Sequence, residues 1–423
     1  MKRILILGGG TAGTMAANKL VKHLPGEQWR VTVVDQSSEH LYQPGLLLLP
    51  FGKYAPKGLV KDRRAFLNKQ VELILSEVVA VEPAANRVLL ADHESITYDY
   101  LIIATGASPH PDQTPGMDDP SIWRSSVFDF YTLDGATALR DKLASWPGGR
   151  LVVHVTEMPI KCPVAPLEFA FLADAFLADR GIRDRSSITY VTPLEGAFTK
   201  PVASTQLGSM LDERGIALEP DFVIERIDTD TKTMISMDER EIPFDLLVTV
   251  PLNMGADFLS GSGLVDELNY VKVDKGTFKS RTFDNVFALG DASDIPASKA
   301  GSVAHFSVEI FTENFVDLVQ GRPMSKAFDG HANCFIESGK GKGLLIDFNY
   351  DTEPLTGRFP WAGIGPLSLL KETRANHLGK LGFRWVYWHL LLKGRPIPIP
   401  ALMSMSGKNT TPTSQGSDHH ASH

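Results

Sequence analysis

Three glycines near the start of the chain and two cysteines far apart are the residues whose type and spacing can do chemistry. Gly8, Gly10 and Gly13 fit the pattern G-x-G-x-x-G. In that pattern the first glycine allows a tight turn, the second lets a pyrophosphate approach the backbone, and the third lets helix and strand pack closely. The anion rests on the N-terminus of the helix that follows, around Ala12 and Gly13, where free N–H groups and the helix dipole favour negative charge. Asp35 lies 22 residues after Gly13, at about the distance of a ribose-binding carboxylate. A purely structural glycine turn is the alternative, and it leaves that carboxylate without a reason.

Cys162 stands in Lys161-Cys162-Pro163-Val164-Ala165-Pro166-Leu167-Glu168. Pro166 suits the first turn of a helix, which puts Cys162 near the positive end of a dipole. That location is expected to lower the thiol pKa and favour the reactive thiolate. Lys161 adds a positive charge beside it. Glu168 and Glu157 are the nearest acids for handling protons, although a carboxylate in a first helical turn also serves simply to stabilise the helix. Cys334 is the only other thiol, 172 positions further on. A small buried hydrophobe is the ordinary alternative for either cysteine. Two cysteines make neither a disulfide framework nor a structural zinc site, and no metal is expected.

The elements that must position these residues follow from the apolar pattern. Residues 3–7 read as a buried strand, 14–23 as a helix and 29–34 as a second strand, a strand–turn–helix–strand unit of an α/β fold. Short apolar pieces over 71–90 and 97–104 read as more strands, and the Pro- and Gly-rich 112–123 as a crossing between domains. A second α/β unit starts with a strand at 150–155 and a helix at 167–179, with strands near 187–192, 221–227 and 245–250. Residues 284–293 read as a strand and 300–320 as a helix. The expected division is 1–118 and 253–330 for a discontinuous dinucleotide-binding domain and 119–252 for a second Rossmann-like domain whose nucleotide site is degenerate. A C-terminal region, 331–405, and a disordered tail, 406–423, complete it.

Composition sets outer limits. The chain has 423 residues, 43% hydrophobic and 22% charged, which supports a real core and excludes a disordered or fibrous protein. A net charge of −8 argues against nucleic acid as a partner. No apolar run reaches the roughly 18 residues of a membrane-spanning helix, and the opening MKRILIL is read as a strand rather than a leader. From Lys371 to Arg395, six basic residues and a single acid are interleaved with Leu381, Phe383, Trp385, Tyr387, Trp388 and Leu390–Leu392. Such a stretch describes a helix lying in a membrane interface.

The segments Leu101–Ala107 (LIIATGA) and Val286–Asp291 (VFALGD) resemble the paired signatures of two-dinucleotide-binding-domain flavoproteins. The resemblance implies FAD, with Thr105 and Gly106 in the first segment and Gly290 and Asp291 in the second at the cofactor, and Asp291 on its ribityl chain. Members that use NAD(P)H carry a second glycine fingerprint. Here residues 156–166 hold no glycine and three prolines, Pro159, Pro163 and Pro166. Proline has no N–H to give and a fixed torsion, so this loop is badly suited to a pyrophosphate.

Within that superfamily the chain resembles the sulfide:quinone oxidoreductases, with flavocytochrome c sulfide dehydrogenase as a relative. The likeness runs from residue 1 to about 395 and is most specific at Tyr42-Gln43-Pro44-Gly45-Leu46, at Cys162–Glu168, and from Cys334 through Glu353-Pro354-Leu355. It implies that Cys162 and Cys334 flank the flavin as a disulfide or sulfur-bridged pair that receives sulfide. It also implies that Lys299 lies near the flavin N1 or a quinone carbonyl; Phe335, beside Cys334, and then Phe383 and Tyr387 are candidate aromatics for stacking a membrane quinone, and the interfacial C-terminal stretch describes a peripheral, monotopic membrane protein. A third cysteine of many members is replaced in the 125–134 segment by Phe128, Phe130 and Tyr131, which implies noncovalent FAD. A type II NADH:quinone dehydrogenase and the flavin subunit of a sulfide dehydrogenase with a cytochrome acceptor are the alternative readings. Self-association into a homo-oligomer is left open.

Overall fold

The computed structural model describes residues 1–92 and 94–410. Two parallel sheets dominate it. The first has five strands in the order Val286–Ala288, Tyr100–Ile103, Lys2–Leu7, Trp29–Asp35 and Glu72–Leu75. Every neighbouring pair is parallel, with Ile6 beside Val33 and Ile102. Its edge strand Val286–Ala288 arrives after an excursion of more than 180 residues, which makes this unit discontinuous. The excursion holds the second sheet, also all parallel: Val127–Phe128, Leu246–Val250, Gly149–Val155, Ser186–Val191 and Ile216–Glu219. Strands buried on both faces read as continuous apolar runs, which is why RILIL, LIIA and LLVTV stand out in the sequence. The α/β, doubly Rossmann-like expectation agrees with this architecture.

The glycine turn is dictated by contact. Gly8 has φ +92°, and a Cβ on it would lie 2.5 Å from the carbonyl oxygen of Ala104. A Cβ on Gly13 would lie 1.9 Å from the Gly8 oxygen, so only glycine lets the Thr11–His23 helix leave the first strand at this angle. The helix starts at Thr11, three residues earlier than the apolar pattern indicates.

Local differences from expectation have local causes. The strand expected at 221–227 lies at Ile224–Asp228 in a separate three-stranded antiparallel sheet, because it pairs with its own hairpin neighbour, Thr233–Ser236. Residues 284–293 form only a short strand, and Gly290, at φ +64°, bends the chain into the turn Gly290–Ala292. The Leu133–Ser145 helix is signalled weakly, by Thr132 accepting from Gly135 N at 3.0 Å as its cap.

The C-terminal region adds a four-stranded sheet, ordered Ala332–Gly339, Lys342–Phe348, Leu367–Leu369 and Gly357–Phe359, and the Arg374–Val386 helix. The tail expected to be disordered from 406 is placed as far as 410. The Lys408 side chain is buried, its Nζ 2.5 Å from Asp347 Oδ2, because a buried carboxylate needs a cation more than a lysine needs water. The remainder of that tail lies outside the described residues.

Candidate functional site

One pocket gathers the chemistry. Gly10, Thr11 and Ala12 line it from the glycine turn, Thr105 and Gly106 from the end of Tyr100–Ile103, and Gly290 and Asp291 from the turn after Val286–Ala288. These are the carboxyl ends of adjacent parallel strands, where such sheets hold ligands. The site tests well for a dinucleotide. A Cβ on Gly10 would meet nothing within 4 Å although the residue lines the pocket, so the open face belongs to a ligand rather than to protein packing. Thr105 Oγ1 is buried without a protein partner. Gly8 and Gly13 stand behind the turn as its structural members. Asp35 accepts a hydrogen bond from Gly9 N at 2.7 Å and pairs with Arg63 Nη2 at 3.1 Å.

Cys162, Glu168, Lys161 and Lys299 line the same pocket. Cys162 is fixed by its backbone: its N–H donates to Lys299 O at 2.6 Å, and its carbonyl accepts from Ala165 N at 2.8 Å and from the Tyr131 hydroxyl at 3.3 Å. Its φ of +47° is a left-handed conformation for a residue with a Cβ, which costs roughly 1–2 kcal/mol. The helix beyond it is Ala165–Asp179, with Pro166 in its first turn.

The expected low thiol pKa is overturned. Burial pushes Cys162 up to about 12, with the Glu168 charge adding to the rise and Lys380 opposing it. Desolvation of a thiolate outweighs the dipole here. Cys334 is also raised, by burial first and then by the neighbouring Cys162 and Glu168. It lies on the Ala332–Gly339 strand, which packs against the Ala165–Asp179 helix. Both thiols are free.

Glu168 has no exposed side-chain surface and pairs with Lys380, while Glu337 N donates to its Oε1 at 2.6 Å. Burial lifts it to about 7, against the pull of Lys380. Burial alone would depress Lys380, but Glu168, Cys162 and Glu337 together hold it above its ordinary value. Lys299 is buried, donates to Asp291 O and Ser293 O at 2.9 Å each, and lies 3.7 Å from the Tyr270 ring centroid. Burial lowers it to about 8. Asp291 is raised by burial, against the opposing charges of Lys299 and Lys161.

Phe383 and Tyr387 line the pocket from the C-terminal helix and the turn after it. The Tyr387 hydroxyl lies 2.8 Å from Thr11 Oγ1 and 2.7 Å from His40 Nε2. Phe335 is elsewhere. Successive side chains of a strand point to opposite faces, so a buried Cys334 sends Phe335 to the other side, against Leu345, Phe359 and Leu369. Sequence reasoning also missed the inner partners. Lys380 is 212 positions from Glu168, and the sequence shows it only as one of several basic residues on an interfacial helix. Phe130, Tyr131 and Gln43 also line the pocket; the motif around Gln43 was the signal available for it.

The C-terminal stretch is less exposed than its composition suggests. Tyr387, Trp388, Leu391 and Leu392 join the main core, and Arg384 donates to Gly58 O. Leu378, Leu381 and Trp385 remain 65%, 37% and 57% exposed at helical i, i+3, i+7 spacing, and Trp361 and Ile364 are 49% and 81% exposed. Among the described residues no helix is long and apolar enough to cross a membrane, and no cluster of His, Cys, Asp and Glu could hold a metal.

Residues 2–155 match the profile of a family described as pyridine nucleotide-disulphide oxidoreductase. The mitochondrial sulfide:quinone oxidoreductase of Dictyostelium discoideum is 28% identical over 93% of this chain and 86% of its own. The mouse mitochondrial protein of the same name is 24% identical over 92% and 86%. Among solved structures, the sulfide:quinone oxidoreductase of Aquifex aeolicus superposes with a TM-score of 0.77 at 20% identity, over 93% of this chain and 92% of that one.

Proposed function

We propose, from the premise that this chain belongs to the sulfide:quinone oxidoreductase family, that it oxidises sulfide and passes the electrons to a quinone by way of FAD. Bound FAD supplies a two-electron acceptor between a sulfur donor and a quinone. The observation that carries the reading is the placement of Cys162 in the pocket that Gly10 and Thr105 line, with Cys334 buried near it. Gly10, Ala12, Thr105, Gly106 and Gly290 would hold the cofactor, Asp291 its ribityl side and Asp35 the end near the first two strands.

Hydrosulfide attacks one sulfur of the oxidised Cys162–Cys334 pair. One S–S bond forms as the pair's own bond breaks, leaving a persulfide on one cysteine and a thiolate on the other. Lys380 is the cation nearest this chemistry and stabilises the thiolate that burial disfavours. Glu168, raised to about 7, accepts the sulfur-bound proton near neutral pH. A second sulfide then releases the sulfur as polysulfide. On the acceptor side, Phe383 and Tyr387 offer aromatic faces to a quinone and Lys299 a cation near its carbonyl.

The exposed Leu378, Leu381 and Trp385, with the Trp361–Ile364 loop, support a monotopic seat on a membrane, the source of the quinone. The proline loop at 156–166 favours this reading over an NADH-dependent one. Steady-state reduction of a short-chain quinone by the purified protein tests it: sulfide supports turnover and NADH does not. Turnover with NADH and none with sulfide would transfer the protein to the NADH:quinone dehydrogenases.

A further inference from the structure

Four ionisable side chains run from the pocket wall to the surface, and the outer two have no part in the reaction described so far. Glu168 lines the pocket and is fully buried. Lys380, 14% exposed, pairs with it. Glu337, 3% exposed, gives its backbone N–H to Glu168 Oε1, while its carboxylate meets the Arg374–Val386 helix. There Glu337 Oε2 is 2.8 Å from His377 Nδ1, and His377 is 25% exposed. Glu168 Oε2 and Glu337 Oε1 are both buried without a protein partner. Buried carboxylates normally have their lone pairs satisfied. Two orphan oxygens on neighbouring acids, one on the acid that lines the pocket and one on the carboxylate whose other oxygen meets His377, are places where a proton can be received.

We propose that Glu337 and His377 are the outer stages of a proton conduit serving Glu168, with His377 exchanging protons with bulk water. This deepens the sulfide reading and rests on it. A proton leaving sulfur in the pocket passes to the Glu168 carboxylate, from there across to Glu337, whose charge couples to Glu168 and Lys380, and from His377 to solvent. Each stage returns to its starting protonation, no electrons move along the path, and the reverse direction delivers protons to a reduced quinone. Glu337 couples to Glu168 from the Ala165–Asp179 helix and to His377 and Lys380 from the Arg374–Val386 helix, and its register neighbour on the adjoining strand is uncharged Gly343. His331 and Asp347 stand at the far end of that strand pair. Glu337 and His377 are therefore positioning residues that act through Glu168.

The test is stopped-flow bleaching of the flavin by sulfide in the full-length FAD-loaded protein, in weak buffer. His377→Asn keeps a hydrogen-bonding group beside Glu337 but carries no titrating proton, and His377→Ala opens the site to a carrier. Both variants should slow bleaching by about 10²-fold. Added imidazole should restore the His377→Ala rate in proportion to its concentration, and Glu337→Gln should be slow and unrescued. Wild-type rates in His377→Asn, or slow rates indifferent to imidazole with flavin content intact, would overturn the conduit alone. A wild-type flavin that sulfide does not bleach would overturn the sulfide reading, and the conduit with it.

Discussion

Glu168 shows what a single residue contributes when water is excluded. A carboxylate lifted to about 7 by burial is half ionised near neutrality, so a rate that needs it as a base rises with pH through that value. Glu168→Gln should lower sulfide-dependent flavin reduction by about 10²-fold and remove that limb of the pH profile. Lys380→Met should move the limb to higher pH, because Lys380 is what restrains the rise. Stopped-flow rates between pH 5 and 9 check both. Replacing Cys162 or Cys334 by serine should reduce sulfide-driven bleaching by about 10³-fold or more while leaving flavin content unchanged. The cysteine motif was legible in the sequence because its residues are adjacent. The thiol pKa was not, since the dipole is a property of the local chain and desolvation a property of everything packed over it.

At the scale of elements, the glycine turn separates folding from binding within six residues. A Cβ at Gly13 collides with the Gly8 carbonyl, whereas a Cβ at Gly10 meets no protein atom. Gly13→Ala should therefore lower the melting temperature and the soluble yield, with overpacking costing about 1–3 kcal/mol. Gly10→Ala should melt as the apoprotein does and be purified without its yellow colour. Flavin absorbance per protein, measured beside thermal unfolding, checks the contrast. This turn was readable because strand, turn and helix are contiguous. Phe335 is next to Cys334 in sequence but not at its side in space, because strand alternation sends neighbours to opposite faces. The Glu168–Lys380 pair was invisible for a different reason: nothing local announces a contact between elements that only the fold brings together.

For the molecule as a whole, the exposed apolar and basic side chains set how strongly the proposed membrane seat would hold. Each of the five exposed apolar side chains contributes roughly 1.5–3 kcal/mol if buried. Exposed Lys371, Arg374 and Arg395 add about 1 kcal/mol each at an anionic surface. The apolar part dominates, so high salt should leave the protein on membranes and detergent should release it. Leu381→Glu with Trp385→Glu should shift it to the supernatant in a flotation assay without changing sulfide-driven bleaching. Composition overstated this surface, counting Trp388 and Lys380 toward the membrane when packing and charge pairing draw both inward. It also puts Lys408 in a disordered tail, whereas Asp347 holds its side chain inside.

Electron entry through sulfur rather than nicotinamide is the claim on which the rest depends, and an anaerobic spectrum tests it most directly. Purified flavoprotein is mixed with a slight excess of sulfide and then with a short-chain quinone, beside a parallel sample given NADH. The account predicts loss of the oxidised flavin band with sulfide, its return with quinone, and no change with NADH. A flavin that ignores sulfide and bleaches with NADH would contradict it.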